Sequence, residues 1–238
     1  MEREYKHYYF TILGEYKNMR KQMSESLFIG ILLSVSGGIM DAYSYIYRGE
    51  VFANAQTGNV LLFSIHLSNG EWVEALHYAF PIMAFLCGVA LAAFICYFFK
   101  KRKSLHWRQL CVLYEAMILA VVSCFSQDVN LLANCCISFA CGIQVEAFRK
   151  IENENVATTM CIGNLRSAMH SAITGRVMGS YKDRHTAYIS FVMVLAFAVG
   201  AVMGSVLIQR FGAYSICCSS IILLLCFGGM FFSPSVER

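Results

Sequence analysis

Proline and charged residues are scarce in this sequence. Its 238 residues include two prolines, and Asp, Glu, Lys and Arg together make up 14% of the chain, whereas soluble domains carry about 25%. Hydrophobic residues make up 58%, and the mean hydropathy is +0.55. An ordinary soluble domain is therefore excluded, and the mild net charge of +4 does not indicate a nucleic-acid-binding surface.

Recognisable catalytic and metal-binding motifs are also missing. The 11 cysteines form no Cys-x-x-Cys pair, and most lie within apolar runs, so they are interpreted as small buried hydrophobic residues. The histidines have no metal-ligand spacing, and there is no phosphate-binding loop or nucleophile–base motif. The sequence therefore predicts neither an enzyme nor a bound cofactor or metal.

Long hydrophobic runs dominate what is present. A membrane span needs about 20 apolar residues, because about 30 Å of hydrocarbon is crossed at 1.5 Å per residue. Six stretches meet or approach that length: 26–47, 76–99, 109–126, 130–148, 186–208 and 212–232. Two shorter and more polar stretches, 52–68 and 157–173, are each interrupted by a Gly-Asn pair.

The N-terminal residues 1–24 have a different pattern. Tyr5, Tyr9, Ile12 and Tyr16 follow the spacing of one helical face, and five Lys and Arg residues surround that face. This pattern is typical of a basic amphipathic helix on an anionic membrane surface, with a solvated basic arm as the alternative.

The rest of the chain contains the same sequence unit twice. Without a gap, the segment 37–42 (GGIMDA) aligns with 142–147 (GIQVEA), and 58–60 (GNV) aligns with 163–165 (GNL). The hydrophobic stretches coincide in the same alignment. We therefore predict two membrane repeats, 25–127 and 128–234.

The distribution of Lys and Arg predicts the orientation of these repeats. If 52–68 and 157–173 do not cross and the N-terminus is cytoplasmic, fifteen basic residues in the arm and loops face the cytoplasm and two face outside. If both stretches cross, the cluster Lys100–Lys103 moves outside, against the positive-inside rule. The first model is therefore preferred, and it gives each unit three spans. Because three is an odd number of crossings, the two units lie in opposite orientations in the membrane.

The predicted fold is therefore an all-α, polytopic membrane protein with six spanning helices and two interrupted or re-entrant helices, arranged as an inverted-topology repeat. Such repeats commonly build secondary transporters whose sites lie at broken helices near the middle of the membrane.

The landmarks of both halves resemble a known family. Gly38, Asp41, Ala42 and Ser44, followed by Phe52 and Thr57-Gly58-Asn59, are similar to the first-half signature of the YoaK-like bacterial membrane family. The second half, with Gly142-Ile143-Gln144 and the segment 157–167, resembles a subgroup of it. The resemblance covers nearly all of the chain after the basic arm. It implies an integral membrane protein with several helices and no established substrate.

Asp41 and Glu146 form the first candidate site. The alignment places these carboxylates at equivalent positions in the two repeats, and an ionised carboxylate within a span costs about 2.5–3.5 kcal/mol on insertion scales. They could couple transport to a proton or cation. Alternatively, each could cap backbone amides of the adjoining broken helix.

The interrupted helices form the second candidate site, which consists of Thr57, Gly58 and Asn59 in the first half and Thr159, Gly163 and Asn164 in the second half. A helix N-terminus aimed at the midplane would suit an anion. Alternatively, Gly and Asn pack where the repeats cross, and Asn satisfies the broken backbone. Gln144 would join either network, as would Asn54, Gln56 and Thr158. Glu115 has no acidic counterpart and ranks lower.

The leading functional hypothesis is a small secondary transporter or permease of unknown substrate, with both termini on the cytoplasmic side of the cell membrane. The alternative is a non-transporting scaffold or sensor that contacts partners or anionic lipid. The expected partners are the lipid bilayer and a small solute, without nucleic acid, and a homodimer is compatible with the small bundle.

Overall fold

The computed structural model describes residues 23–99 and 106–232, and most of them lie in helices. In these ranges the α-helices are α1 (Leu27–Tyr47), α2 (Gln56–Ser68), α3 (Trp72–Phe99), α4 (Trp107–Val122), α5 (Asn130–Ala147), α6 (Cys161–Val177), α7 (Tyr181–Phe211) and α8 (Cys217–Gly229). The predicted basic arm, except its last two residues, and the cluster Lys100–Lys103 lie outside the described residues.

Each predicted hydrophobic stretch coincides with a helix, so the hydropathy pattern located the elements correctly. The last stretch, 212–232, is divided, because 3-10 turns at Gly212–Ile216 and Met230–Phe232 flank α8. Within the described residues, four segments are long and apolar enough to cross a membrane: Leu27–Tyr47, Trp72–Phe99, Gln127–Ala147 and Tyr181–Gly229. The last of these contains both α7 and α8. The fold is therefore an all-α, multi-pass membrane fold.

The two halves of the chain are interleaved. The first helix of each half packs on the third helix of the other half, so α1 contacts α7 and α5 contacts α3. Each short helix packs beside the third helix of its own half, α2 on α3 and α6 on α7. The fourth helices α4 and α8 contact each other, and each also contacts the first helix of the other half. The packing therefore repeats the duplication seen in the sequence.

Glycines allow the two interleaved pairs to approach closely. A Cβ atom on Gly38 of α1 would lie 2.1 Å from the Phe197 carbonyl oxygen of α7. A Cβ atom on Gly142 of α5 would lie 2.2 Å from the Phe85 carbonyl oxygen of α3. No side chain fits at either crossing, as in other small-residue contacts between membrane helices. These contacts equate Gly38 with Gly142, whereas the gapless alignment equates Gly37 with Gly142.

A short antiparallel hairpin joins α5 to α6, which the sequence analysis did not predict. Its strands are β1 (Lys150–Ile151) and β2 (Glu154–Asn155), and Glu152 and Asn153 have the positive φ angles of a tight hairpin turn. The hairpin supports the start of α1, because Glu152 Oε1 accepts a hydrogen bond from the Leu27 amide at 3.3 Å.

Arg48 joins the C-terminal ends of α1 and α4. Its side chain is fully buried and donates to the carbonyl oxygens of Ser126 at 2.8 Å and Phe125 at 2.9 Å. It also donates to the Tyr43 hydroxyl at 2.7 Å. A positive charge is favourable beside carbonyl groups that end a helix. Arg48 is therefore a structural contact rather than a loop charge exposed to solvent.

Candidate functional site

Asn59 closes the loop that leads into α2. Its buried amide oxygen accepts a hydrogen bond from the Phe52 amide at 3.0 Å, and its amide nitrogen donates to the Phe52 carbonyl at 2.6 Å. The nitrogen also donates to Gln56 Oε1 at 3.0 Å. The side chain thus satisfies both polar groups of a backbone residue that no helix satisfies.

Asn164 does the same in the second half. Its Oδ1 accepts from the Ala157 amide at 3.2 Å, and its Nδ2 donates to the Ala157 carbonyl at 2.6 Å. Both asparagines bond the residue seven positions earlier, so at these loops the structure keeps the register of the gapless alignment. This geometry corresponds to the packing interpretation of the Gly-Asn pairs.

The other members of the two signatures lie in unequal settings. A Cβ atom on Gly58 would lie 2.7 Å from the Phe52 ring, whereas the space beside Gly163 is open. Thr57 is exposed and Thr159 is buried. Neither α2 nor α6 has a side-chain N-cap, since Ala55 and Met160 occupy those positions without a capping hydrogen bond.

Asp41 holds the loop before α2 against α1. Its Oδ1 accepts a hydrogen bond from the Asn54 amide at 2.7 Å. One turn further along α1, Ser44 Oγ accepts from the Ala53 amide at 3.1 Å. These contacts are those expected of a carboxylate that caps the amides of a broken helix.

Glu146 lies in a different setting from Asp41. Its carboxylate pairs with Arg149 at the end of α5, and no described contact joins it to the loop before α6. Gln144 reaches that loop instead, since its Nε2 donates to Thr158 Oγ1 at 2.9 Å. The same nitrogen donates to the Leu33 carbonyl of α1 at 3.0 Å. The glycine contacts equate Asp41 with Val145 rather than with Glu146, so neither register pairs Asp41 with Gln144, and the two residues reach their loops from different positions.

The loops before α2 and α6 both contact α1 at Gly37. Asn54 Nδ2 donates to the Gly37 carbonyl at 3.0 Å, and a Cβ atom on Gly37 would lie 2.9 Å from Thr159 Cγ2. The loops before α2 and α6 are therefore brought together from opposite halves of the chain. Sequence reasoning missed Gly37, because a glycine within an apolar run gives no sign of what it faces.

Three buried oxygen atoms at this meeting point have no hydrogen-bond partner. They are Asn54 Oδ1, Gln144 Oε1 and Thr159 Oγ1, and the three side chains are at most 4% exposed. Buried polar atoms are normally paired, so a group of three around one helical turn is unusual. We call Asp41, Asn54, Gln144 and Thr159 the polar cluster. It offers oxygen atoms to a ligand that donates hydrogen bonds or carries positive charge.

Glu115 of α4 lies outside the polar cluster. It is fully buried and neither of its carboxyl oxygens has a partner. The thiols of Cys111, Cys141 and Cys226 lie within electrostatic reach of it. The described residues contain no group of three or more His, Cys, Asp or Glu side chains that could hold a metal ion.

Comparisons with known proteins agree with a membrane location. The family model "Protein of unknown function (DUF1275)" matches residues 29–229. The UPF0700 transmembrane protein YoaK of Bacillus subtilis (strain 168) is 26% identical over 176 residues, which cover 71% of this chain and 75% of that protein. No solved structure matches. The chain is therefore a multi-pass membrane protein that belongs to the DUF1275 family, which includes YoaK-like proteins.

Proposed function

We propose that this protein is a small secondary transporter, with the polar cluster as its solute site. One observation carries the proposal. Loops from both halves of the chain meet inside an apolar bundle, and there they leave oxygen atoms without partners. Polar groups inside a membrane protein are costly, and they commonly mark a solute or ion pathway.

The proposed architecture has six crossings in the cell membrane, cytoplasmic termini and two oppositely oriented repeats. The fifteen-to-two distribution of basic residues supports this orientation. The helices α2 and α6 would enter part of the membrane without crossing it. Residues 52–54 and 157–159 of their irregular loops are buried or half-buried, and cover by protein is the condition under which non-helical backbone is tolerated at membrane depth. Conversion of the solute forms no part of the proposal.

Reconstitution tests the proposal. Purified protein in liposomes would be given concentration jumps of small cationic, anionic, zwitterionic and neutral solutes, and flux would be recorded for each. We expect saturable flux of one solute class, lost in Gly37→Val because a side chain at Gly37 meets Thr159 at 2.9 Å. Gly163→Ala is the matched control, since the space beside Gly163 is open.

Both variants must retain the thermal unfolding profile of the native protein, and Gly37→Ala provides a milder change if Gly37→Val unfolds. Absence of flux for every solute class with well-folded protein would contradict the transporter proposal. The scaffold or sensor would then lead. It predicts that deletion of residues 1–22 abolishes the cellular function while Asp41→Asn has no effect.

A further inference from the structure

We infer that the polar cluster binds a small monovalent cation, which deepens the proposed function by naming a ligand class for the same site. The proposed ligands are Asn54 Oδ1, Gln144 Oε1 and Thr159 Oγ1, and Asp41 supplies the compensating charge.

The unpaired atoms of the cluster select a cation over an anion. Gln144 Nε2 uses both of its donors, on the Leu33 carbonyl at 3.0 Å and on Thr158 Oγ1 at 2.9 Å, and Asn54 Nδ2 uses one, on the Gly37 carbonyl at 3.0 Å. The atom of each side-chain amide that has no partner is its acceptor oxygen. An anion would meet these oxygens and the adjacent carboxylate, so it would be repelled.

The contacts place the three ligand side chains against one turn of α1. Asn54 and Thr159 both contact Gly37, and Gln144 bonds the Leu33 carbonyl one turn earlier on α1. Gln144 also bonds Thr158, the neighbour of Thr159, at 2.9 Å. The ligands therefore come from α5 and from the loops before α2 and α6, and they face a single segment of α1.

The charge of the site favours one positive charge. Asp41 Oδ1 accepts a hydrogen bond from the backbone N–H of Asn54 at 2.7 Å, so its carboxylate is adjacent to the proposed ligand residue. The proposed ligands themselves are neutral, and the basic residues described nearby are engaged elsewhere: Arg48 with carbonyl groups and Arg149 with Glu146. A divalent ion would leave an uncompensated charge in the membrane interior, which is costly. Hard cations prefer oxygen ligands.

Cation-dependent stability tests the inference without a transport assay. The unfolding temperature of the purified protein in detergent would be measured in lithium, sodium, potassium and ammonium chloride against N-methylglucamine chloride at constant ionic strength. A ligand that binds the folded state raises the unfolding temperature saturably. We expect such a rise with at least one of the four cations.

Variants assign the effect to the cluster. Thr159→Val removes one oxygen at constant shape, and we expect about a tenfold weaker apparent affinity, while Thr159→Ser keeps the oxygen and retains the affinity. Gln144→Met should weaken binding similarly. Ser138→Ala is the matched control, because Ser138 is another buried, unpartnered hydroxyl on α5, nearly two turns from Gln144.

Equal unfolding temperatures in all five salts would overturn the inference, as would an equal loss of affinity in Ser138→Ala. The outcome remains separate from that of the flux experiment. Cation binding without flux would support the binding site and contradict the transporter proposal. Flux without a cation effect would contradict only the inference that the ligand is a cation.

Discussion

At the residue scale, Asn59 and Asn164 replace backbone hydrogen bonds that the breaks before α2 and α6 leave open. Each side chain bonds both the amide and the carbonyl of the residue seven positions earlier. The sequence analysis singled out the Gly-Asn pairs with two alternative roles, and the geometry corresponds to the packing role. Their partners could not be named in advance, because a side chain that bonds across an irregular loop follows no helical or strand period.

The two asparagines should therefore contribute equally to stability. Asn59→Asp and Asn164→Asp exchange the donor nitrogen for an oxygen, which faces a buried carbonyl. We expect each variant to lose at least about 2 kcal/mol of unfolding free energy. Chemical unfolding in detergent would measure the loss, with the exposed Asn69→Asp as control. A large loss in one half only would contradict the equivalence of the loops.

His106 gives a second prediction at this scale. It caps α4, and its Nδ1 accepts a hydrogen bond from the Arg108 amide at 3.3 Å. Burial, together with the nearby Arg108 charge, lowers the pKa of His106 below its usual value. The neutral imidazole is thus favoured in the folded state, so its contribution is present above about pH 6.5 and is lost as the pH falls.

The unfolding temperature should consequently decrease between pH 7.5 and pH 5.5, and more steeply in the native protein than in His106→Asn. Asparagine is a good N-cap that does not titrate in this range. If the unfolding temperatures of the two proteins changed equally with pH, His106 would not be the cause of the pH dependence.

At the element scale, the helices could be predicted and the register between them could not. Six hydrophobic runs located all the α-helices except α2 and α6, because a membrane span requires a minimum apolar length, and the two shorter, more polar stretches located α2 and α6. The hairpin β1–β2 was missed, since strands of two residues carry no period. The equivalence of Asp41 and Glu146 came from a gapless alignment. The structure aligns the Asn loops in that register but shifts α1 against α5 by one residue, which pairs Asp41 with Val145. The loop before α6 is bonded by Gln144 instead.

The glycine crossings test the packing of these elements. Gly38→Ala and Gly142→Ala place a methyl group about 2 Å from a carbonyl oxygen of the facing helix, so we expect each to destabilise by about 3 kcal/mol. Gly163→Ala should be neutral or stabilising by up to about 1 kcal/mol, because it lies in a helix with open space beside it. Thermal unfolding of the three variants would measure the difference, and tolerance of Gly38→Ala would contradict the close crossing.

At the scale of the whole molecule, orientation in the membrane tests the two oppositely oriented repeats of the proposed architecture. Reporter fusions after Asn69 and after Lys103 would measure it. We expect the first position outside and the second in the cytoplasm, because the basic cluster Lys100–Lys103 favours the cytoplasmic side. The reverse result would make α2 a crossing helix and the repeats parallel, and the scaffold hypothesis would then gain support.

The interleaving of the halves has a consequence for the origin of the chain. The first helix of one half has its packing partner in the other half, so a single unit would leave its glycine face and its polar loop uncovered in lipid. Such a unit could fold only by exchanging these helices with a second copy. Joining two units in one chain supplies that partner, and the two units can then differ, as Asp41 in one half and Val145 at its structural counterpart in the other half do.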